Sequence, residues 1–296
     1  MNSDPRVSLF RAQPATLGEG AMWHPVRQSL FWIDILGCAL FETTLAAPEV
    51  AARPLPQRIG AVVPTLGTDL LVMLQDGVHR LDPVSGRTTP FVRPAGHDAA
   101  TVRFNDAKCD PQGRLWAGTM ALDESGGRGA LYRIDGDGSC RVMRTGVSIS
   151  NGLAWSPDRR TLYYIDSPTR TVQAFDYDAA TGGIERPRVA IDTTAVPGFP
   201  DGCTIDTDGH LWIAHWDGWC VSRWDPVRAR LLDTIRLPVS QVTTCTFGGP
   251  RRDMLFITTA GNRLSATDRA AQPQAGFVFV ANVGAQGFAT DVFAHA

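Results

Sequence analysis

The amino-acid sequence predicts an all-β protein, a six-bladed β-propeller. Three observations predict it: an apolar segment that recurs six times, the near-constant spacing of its copies, and turn-forming residues between the predicted strands. Propellers repeat a four-stranded blade of about 40 to 50 residues around a central channel.

Each copy of the apolar segment begins with Leu and continues with aromatic or β-branched residues, which suit a strand buried on both faces. The starts are 40, 45, 47, 49 and 44 residues apart. This period is too long for a β-helix, and its regularity disfavours a β-sandwich. The six segments are Leu30–Asp34, Leu70–Leu74, Leu115–Thr119, Leu162–Asp166, Leu211–His215 and Leu255–Thr259.

The residues between these segments fit the remaining strands of each blade. Turns rich in Pro, Asp and Gly precede four of the segments, as in residues 110–113 and 206–209, and such turns join antiparallel strands. Val7–Arg11 has strand character, and we expect it to close the ring by pairing beside residues 276–283. Since the repeats fill residues 17 to about 283, we expect a single domain over residues 1–296.

Composition excludes several classes of partner. Hydrophobic residues make up 44% of the 296 residues and charged residues 20%, and the net charge is −2. Nothing therefore argues for nucleic acid or a membrane as partner. The first 12 residues do not resemble a secretory signal. Six dispersed cysteines without a Cys-x-x-Cys pair predict free, mostly buried thiols in a reducing compartment, hence the cytoplasm.

Polar residues recur at one register of the predicted inner strands. Ten or eleven residues before each apolar segment lie the pairs 19–20, 59–60, 105–106, 151–152, 201–202 and 244–245. Inner strands line the channel of a propeller, so equivalent positions converge at one end of it. Four of them offer a side-chain oxygen: Glu19, Asn105, Asn151 and Asp201.

Carboxylates that converge in a desolvated channel repel one another, and a cation removes that cost. The glycines at positions 20, 152 and 202 leave space, or a permissive backbone, beside three of these residues. Asn-Gly and Asp-Gly are also ordinary turn dipeptides, but their shared register across blades favours a metal site.

Several motifs along the chain resemble the gluconolactonase/senescence-marker-protein-30 (regucalcin-like) family of sugar lactonases. They are Leu17–Gly20, Arg103–Lys108, Ala117–Met120, Ser150–Ser156, Pro200–Gly202 and Phe247–Pro250. The resemblance covers nearly the whole chain and implies a six-bladed propeller with one metal ion held by Glu19, Asn151 and Asp201. It implies further that Arg103 and Asn105 face the substrate, as does Asp123, for which Glu124 is the competing assignment in a variable loop.

Two carboxylates and an amide oxygen are hard ligands that suit Ca²⁺, Mg²⁺ or Mn²⁺ and also hold Zn²⁺ or Fe²⁺. We therefore expect metal-dependent hydrolysis of a sugar lactone, such as a pentonolactone or gluconolactone, to the aldonic acid, with Asp201 as general base. A metal-bound hydroxide is the alternative base.

Two other functions stay open: a calcium-binding regulatory propeller without catalysis, and another metal-dependent esterase or lactonase on the same scaffold. The sequence leaves open which sugar lactone and which metal are native, and whether the chain is a monomer or a weak homo-oligomer.

Overall fold

A computed structural model describes residues 3–47 and 49–294 of the chain. It contains six four-stranded antiparallel sheets, one for each blade of a ring, so the predicted six-bladed propeller is confirmed. One difference from the sequence analysis is a short helix, α1 (Ala266–Ala271), between the second and third strands of the last blade. Its start is stabilised by Ser265, whose side chain accepts a hydrogen bond from the Asp268 backbone N–H, as an N-cap residue does.

The strands are numbered in chain order and fall into four sets according to their place in the blade. The inner strands are β2 (Gly18–His24), β6 (Ile59–Pro64), β10 (Val102–Cys109), β14 (Ser150–Trp155), β18 (Phe199–Ile205) and β22 (Val242–Gly248). The second strands are β3 (Ser29–Asp34), β7 (Leu70–Leu74), β11 (Leu115–Ala121), β15 (Thr161–Asp166), β19 (Leu211–Trp216) and β23 (Met254–Thr259). The third strands are β4 (Ala39–Thr44), β8 (Gly77–Leu81), β12 (Gly129–Ile134), β16 (Thr171–Asp178), β20 (Cys220–Asp225) and β24 (Val278–Asn282). The outer strands are β5 (Ala51–Pro54), β9 (Thr88–Val92), β13 (Cys140–Val147), β17 (Gly183–Asp192), β21 (Arg230–Arg236) and β1 (Val7–Arg11).

The six apolar segments of the sequence coincide with the second strands. Every residue of β3, β7 and β11 is buried, because each blade packs against a neighbour on both faces. The hydrophobic cores accordingly span adjacent blades: Trp212 of β19 packs in one cluster with Val242 of β22 and Phe279 of β24.

The N-terminal strand closes the ring, as predicted. β1 pairs antiparallel with β24, with Val7 opposite Ala281 and Leu9 opposite Phe279. The last blade is thus built from both ends of the described chain, and this pairing leaves no open gap between the first and last blades.

Each inner strand carries a β-bulge at the same level of the channel. In β10, β14 and β18 the bulges fall between Phe104 and Ala107, Ser150 and Leu153, and Pro200 and Cys203. A bulge bends the strand and re-aims the side chains within it. The polar residues singled out by the sequence lie in these bulges or, for Glu19, directly before one.

Strand pairing corrects the register in two blades. Leu70 pairs with Pro64 and Leu255 with Phe247, because the turns in these blades differ in length from those assumed from the sequence. In each blade, the leucine that begins the apolar segment pairs with a residue of the inner strand. The fourth residue before that partner is the equivalent position of the blade: Glu19, Gly60, Asn105, Asn151, Asp201 and Thr243. Positions 59 and 244 were therefore each wrong by one residue.

Two of the predicted glycines are required where inner strands approach closely. A Cβ on Gly152 would lie 2.7 Å from the Cys203 Sγ, and one on Gly202 would lie 2.1 Å from the Thr244 Oγ1. Both distances are shorter than van der Waals contact, so glycine is what allows β14, β18 and β22 to approach one another.

All six cysteines are free thiols, as predicted, and Cys109, Cys203, Cys220 and Cys245 are buried. Within residues 3–47 and 49–294, no helix is long and apolar enough to span a membrane.

Candidate metal centre and substrate site

Four polar side chains lie at one end of the inner strands, which we call the mouth of the channel. Glu19 is on β2, Asn105 on β10, Asn151 on β14 and Asp201 on β18. Neighbouring inner strands contact one another all the way around the ring. Asn105, Asn151 and Asp201 are buried, whereas Glu19 is partly open to the channel. The residues predicted from the repeat register therefore occupy equivalent places in the channel wall.

Hydrogen bonds fix the orientation of the two asparagines. The Asn105 Nδ2 donates to the Ser150 carbonyl at 2.8 Å and to the Asn151 Oδ1 at 3.1 Å. The Asn151 Nδ2 donates to the Ser167 Oγ at 2.7 Å, and that hydroxyl donates to the Pro200 carbonyl at 2.6 Å. The network joins blades 3, 4 and 5 and defines which end of each amide is the oxygen. The Asn151 Oδ1 retains a lone pair for a further partner.

The two predicted carboxylate ligands lie in a place where ionisation is unfavourable. Burial and the nearby charge of Asp106 raise the pKa of Glu19 to about 8. Burial and the charges of Glu19 and Asp106 raise the pKa of Asp201 well above its usual range. In the part of the chain that the structure describes, neither carboxylate forms an ion pair with Lys, Arg or His. Such a pair of acids is costly without a counter-ion.

Asp106 is a third acid of this cluster that the sequence analysis did not single out. Its Oδ1 accepts a hydrogen bond from the Ala107 N–H at 2.7 Å, while its buried Oδ2 has no partner among the described residues. Burial raises its pKa, and the charge of Lys108 opposes that shift. The sequence contains a pattern that could have identified it. Asp106 occupies the position that is glycine in three other blades, at Gly20, Gly152 and Gly202.

The donor set fits a divalent cation. It offers two unpaired carboxylates, an oriented amide oxygen and a third acid within electrostatic reach. These are hard oxygen donors, and a cation would remove the repulsion that raises their pKa values.

Arg103 lies beside this cluster with part of its guanidinium unused. Its Nη1 donates to the Phe104 carbonyl at 2.9 Å and to the Asn105 Oδ1 at 2.6 Å. Nε and Nη2 donate no hydrogen bond to the described residues, so they are available to a ligand. Burial lowers the pKa of Arg103 to about 10, and the charge of Glu19 opposes this shift. The guanidinium is therefore still charged at neutral pH.

The loop after β11 favours Glu124 over Asp123 as the acid that faces the site. Asp123 has a 65% exposed side chain, which accepts hydrogen bonds from Ser125 and lies 3.7 Å from the Arg128 Nη1. Glu124 has a left-handed backbone with φ of 59°, and its charge acts on the Arg103 guanidinium. Its carboxylate pairs with Arg263. The turn thus points its two acids in different directions.

A second acidic group, outside the channel, is paired with an arginine. Asp206, Asp208 and His210 cluster in the turn between β18 and β19. The Arg223 Nη2 lies between the acids, 2.6 Å from the Asp206 Oδ2 and 3.3 Å from the Asp208 Oδ2. The Trp212 Nε1 donates to the same Asp206 oxygen at 2.9 Å. This arrangement stabilises the turn, and Arg223 offsets one of the two negative charges.

A cavity of about 320 Å³ occupies the channel on the far side of the polar cluster from the mouth. It is lined by residues that follow the bulges, among them Asp106, Lys108 and Thr244, and by residues 288–291 near the C-terminus. The cluster therefore lies between the mouth and this cavity.

The raised pKa values predict the pH dependence of stability in the metal-free protein. A carboxyl with a higher pKa in the folded than in the unfolded state favours folding while it is protonated, and that contribution is lost as pH rises. For Glu19 the window runs from its ordinary pKa of 4.5 to about 8. With chelator present, the Tm should fall between pH 5 and pH 8, and Glu19→Gln should flatten this dependence. Calorimetry at fixed ionic strength measures both. A wild-type Tm that rises over this range would contradict the interpretation.

Comparisons with known proteins agree with the geometry. A model of the protein family described as SMP-30/Gluconolactonase/LRE-like region matches residues 17–261. The chain is 36% identical to pentonolactonase XacC of Haloferax volcanii, over 93% of this chain and 95% of that protein. It is 35% identical to regucalcin of Danio rerio, over 96% of this chain and 97% of that one. The solved structure of a regucalcin from Agrobacterium tumefaciens, described as a calcium-binding protein, superposes with a TM-score of 0.92 at 29% identity and covers 96% of both chains.

Proposed function

The chain belongs to the SMP-30/gluconolactonase/LRE-like family, and we propose that it opens a five- or six-carbon aldonolactone to the aldonic acid in a metal-dependent reaction. Relatives are named as a sugar lactone lactonase and a pentonolactonase, so the chain is a hydrolase that acts on the ester bond of a lactone. The free thiols agree with an enzyme that works in the cytoplasm.

One observation carries this proposal. The carboxylates of Glu19 and Asp201, which form no ion pair among the described residues, and the oriented amide oxygen of Asn151 lie near the Arg103 guanidinium. Two nitrogens of that guanidinium have no acceptor among the described residues. An ester hydrolase needs a centre that stabilises negative charge on the carbonyl oxygen and a group that takes a proton from water. Both kinds of group are present at the mouth of one channel.

Glu19, Asn151 and Asp201 are the residues that would hold the metal ion. When bound, a divalent cation supplies a positive charge that polarises the ester carbonyl and acidifies a water molecule. Asn105 supports the site indirectly, since its amide donates to the Asn151 oxygen and accepts from Arg103. We therefore assign Asn105 a positioning role in addition to any substrate contact.

Asp201 is the proposed proton acceptor. Its carboxylate belongs to the cluster and forms no ion pair among the described residues, so an oxygen is available to accept a proton. It would remove a proton from the water that attacks the carbonyl carbon. The bond between that carbon and the ring oxygen then breaks, and the ring oxygen takes up a proton to become a hydroxyl of the open acid.

Arg103 is the proposed substrate clamp. Two of its nitrogens are unused, and the neighbouring Asn105 holds the guanidinium plane in place. It would donate to the lactone oxygens and to the negative charge that develops on attack. We propose Glu124, rather than Asp123, as the acid of the adjoining loop that accepts from a sugar hydroxyl, since its charge reaches Arg103.

A rate panel tests the proposal. Proton release is followed after addition of glucono-, galactono-, xylono- and arabinonolactone near pH 6 to 7, with the spontaneous opening rate subtracted. We expect acceleration of at least one lactone that chelator removes and added metal restores. If no lactone is opened faster than without protein, the calcium-binding regulatory function becomes the better reading, in keeping with relatives named regucalcin.

A further inference from the structure

The channel mouth has a second polar wall opposite Arg103. Gln241 precedes β22 by one residue and lies two residues before the equivalent position Thr243, just as Arg103 lies two residues before Asn105. Both residues lie opposite the same position of their blade, five residues after the leading leucine of the apolar segment. Arg103 pairs with Met120, and the Gln241 carbonyl accepts a hydrogen bond from the Ala260 N–H. Arg103 belongs to blade 3 and Gln241 to blade 6, which are opposite one another in a ring of six.

An ion pair shows that these two blades face each other across the mouth. Glu124, in the loop after β11 of blade 3, contacts Arg263, in the loop after β23 of blade 6. Both side chains are partly exposed, at 37% and 60%. This ion pair therefore joins the loops of two opposite blades.

Gln241 has a buried acceptor without a donor. The residue is only 3% exposed, and its Oε1 has no hydrogen-bond partner in residues 3–47 and 49–294. The Gln241 side chain interacts with Asp217. Burial raises the pKa of that carboxyl, and hydrogen bonding from Gln241 and Trp216 opposes the shift. The Gln241 amide therefore interacts with Asp217, and its Oε1 is left without a donor among the described residues.

A buried amide oxygen without a donor costs free energy until a ligand supplies one. Asn262, which lies beside Arg263 in the loop after β23, also has an Oδ1 without a partner among the described residues. Blade 6 therefore presents acceptors, whereas Arg103 across the mouth presents donors. Sugar hydroxyls both donate and accept, so a polyol between the two walls satisfies both.

We infer that Gln241 is a specificity-determining residue, which accepts a hydrogen bond from a hydroxyl of the sugar lactone at the wall opposite Arg103. This inference rests on the proposed lactonase function. The hydroxyl lies on the part of the sugar that does not react, so the bond contributes equally to substrate and transition state. Its loss raises KM and leaves kcat nearly unchanged.

The test is Gln241→Met, which keeps the length of the side chain and removes its hydrogen-bonding groups. The probes are a hexonolactone and its monodeoxy analogues, each without one hydroxyl. We expect the variant to raise KM for the parent lactone about tenfold with kcat within about twofold. For one analogue, the one without the hydroxyl that Gln241 binds, wild type and variant should have the same KM.

The matched control is Gln173→Met. Gln173 lies on β16, a third strand away from the channel, and also has a buried side-chain oxygen without a partner among the described residues. It should leave KM unchanged for every probe.

If Gln241→Met does not fold, Asp217→Gly provides the test. Asp217 lies at the surface with its carboxyl partly buried and has φ of 57°, a conformation that suits glycine. The fold should therefore tolerate the change while Gln241 loses its interaction with Asp217. We expect Asp217→Gly to raise KM less than Gln241→Met would. This increase should be absent for the one analogue that lacks the hydroxyl bound by Gln241. If the wild type opens lactones but the substitution raises KM equally for all analogues, or changes KM for none of them, the inference is overturned. A wild-type protein that opens no lactone would instead defeat the proposed function.

Discussion

Asp201→Asn is expected to lower kcat by at least about 10³-fold and to abolish stoichiometric metal binding. The substitution keeps the size of the side chain and its contact with the Gly202 N–H, but it removes the charge and the proposed base. Asp201 lies at a bulge of β18, apart from the hydrophobic clusters between blades. The fold should therefore persist.

The same variant should be more stable than the wild type when both are free of metal. In the wild type, Asp201 is a buried carboxylate beside Glu19 and Asp106, and neutralising one of several like charges removes repulsion of about 1 kcal/mol or more. Thermal unfolding with chelator at pH 8 measures this, and elemental analysis measures bound metal. A variant that keeps one ion per chain, or one that loses activity only because it unfolds at a lower temperature, would contradict the assignment.

Arg103→Ala is expected to reduce kcat/KM about 100-fold while metal occupancy stays unchanged. The reason is the loss of a charged donor in a desolvated site, where hydrogen bonds to charge are worth about 1.5–3 kcal/mol or more. Metal binding should survive because Asn151 is still held by Ser167 and Asn105.

Arg103→Lys serves as the control for charge alone. Lysine keeps the positive charge but cannot bond Asn105 and a substrate through one planar fork, so it should recover only part of the loss. If Arg103→Ala lost metal in proportion to activity, Arg103 would be a support of the metal site and not a substrate clamp.

The repeat made the fold and much of the site predictable. Each blade repeats the same apolar second strand, so the distance back from its leading leucine locates the wall of the channel. This is why Glu19, Asn151 and Asp201 could be grouped although they are far apart in sequence. The register was wrong by one residue at Gly60 and Thr243, because the length of each turn shows only in the pairing of its strands.

Loop geometry was beyond prediction from the sequence. Whether Asp123 or Glu124 faces the mouth depends on a left-handed residue in a short turn, and the neighbouring acids have nearly the same chemistry. The contact between Glu124 and Arg263 joins loops of opposite blades, so no local pattern indicates it. Asp106 was overlooked because only its neighbour Asn105 was counted as the equivalent position of that blade. Both residues lie in the β-bulge of β10, which lets both side chains face the channel.

The most direct test of the central claim is a metal titration of the chelator-treated protein with lactone hydrolysis as the readout. Proton release from the best lactone substrate and bound metal are measured together as the ion is returned. If Glu19, Asn151 and Asp201 form one catalytic metal site, activity should rise from the uncatalysed rate in proportion to bound metal and level off at one ion per chain. Full activity in protein that holds no metal, or activity that does not follow occupancy, would contradict it.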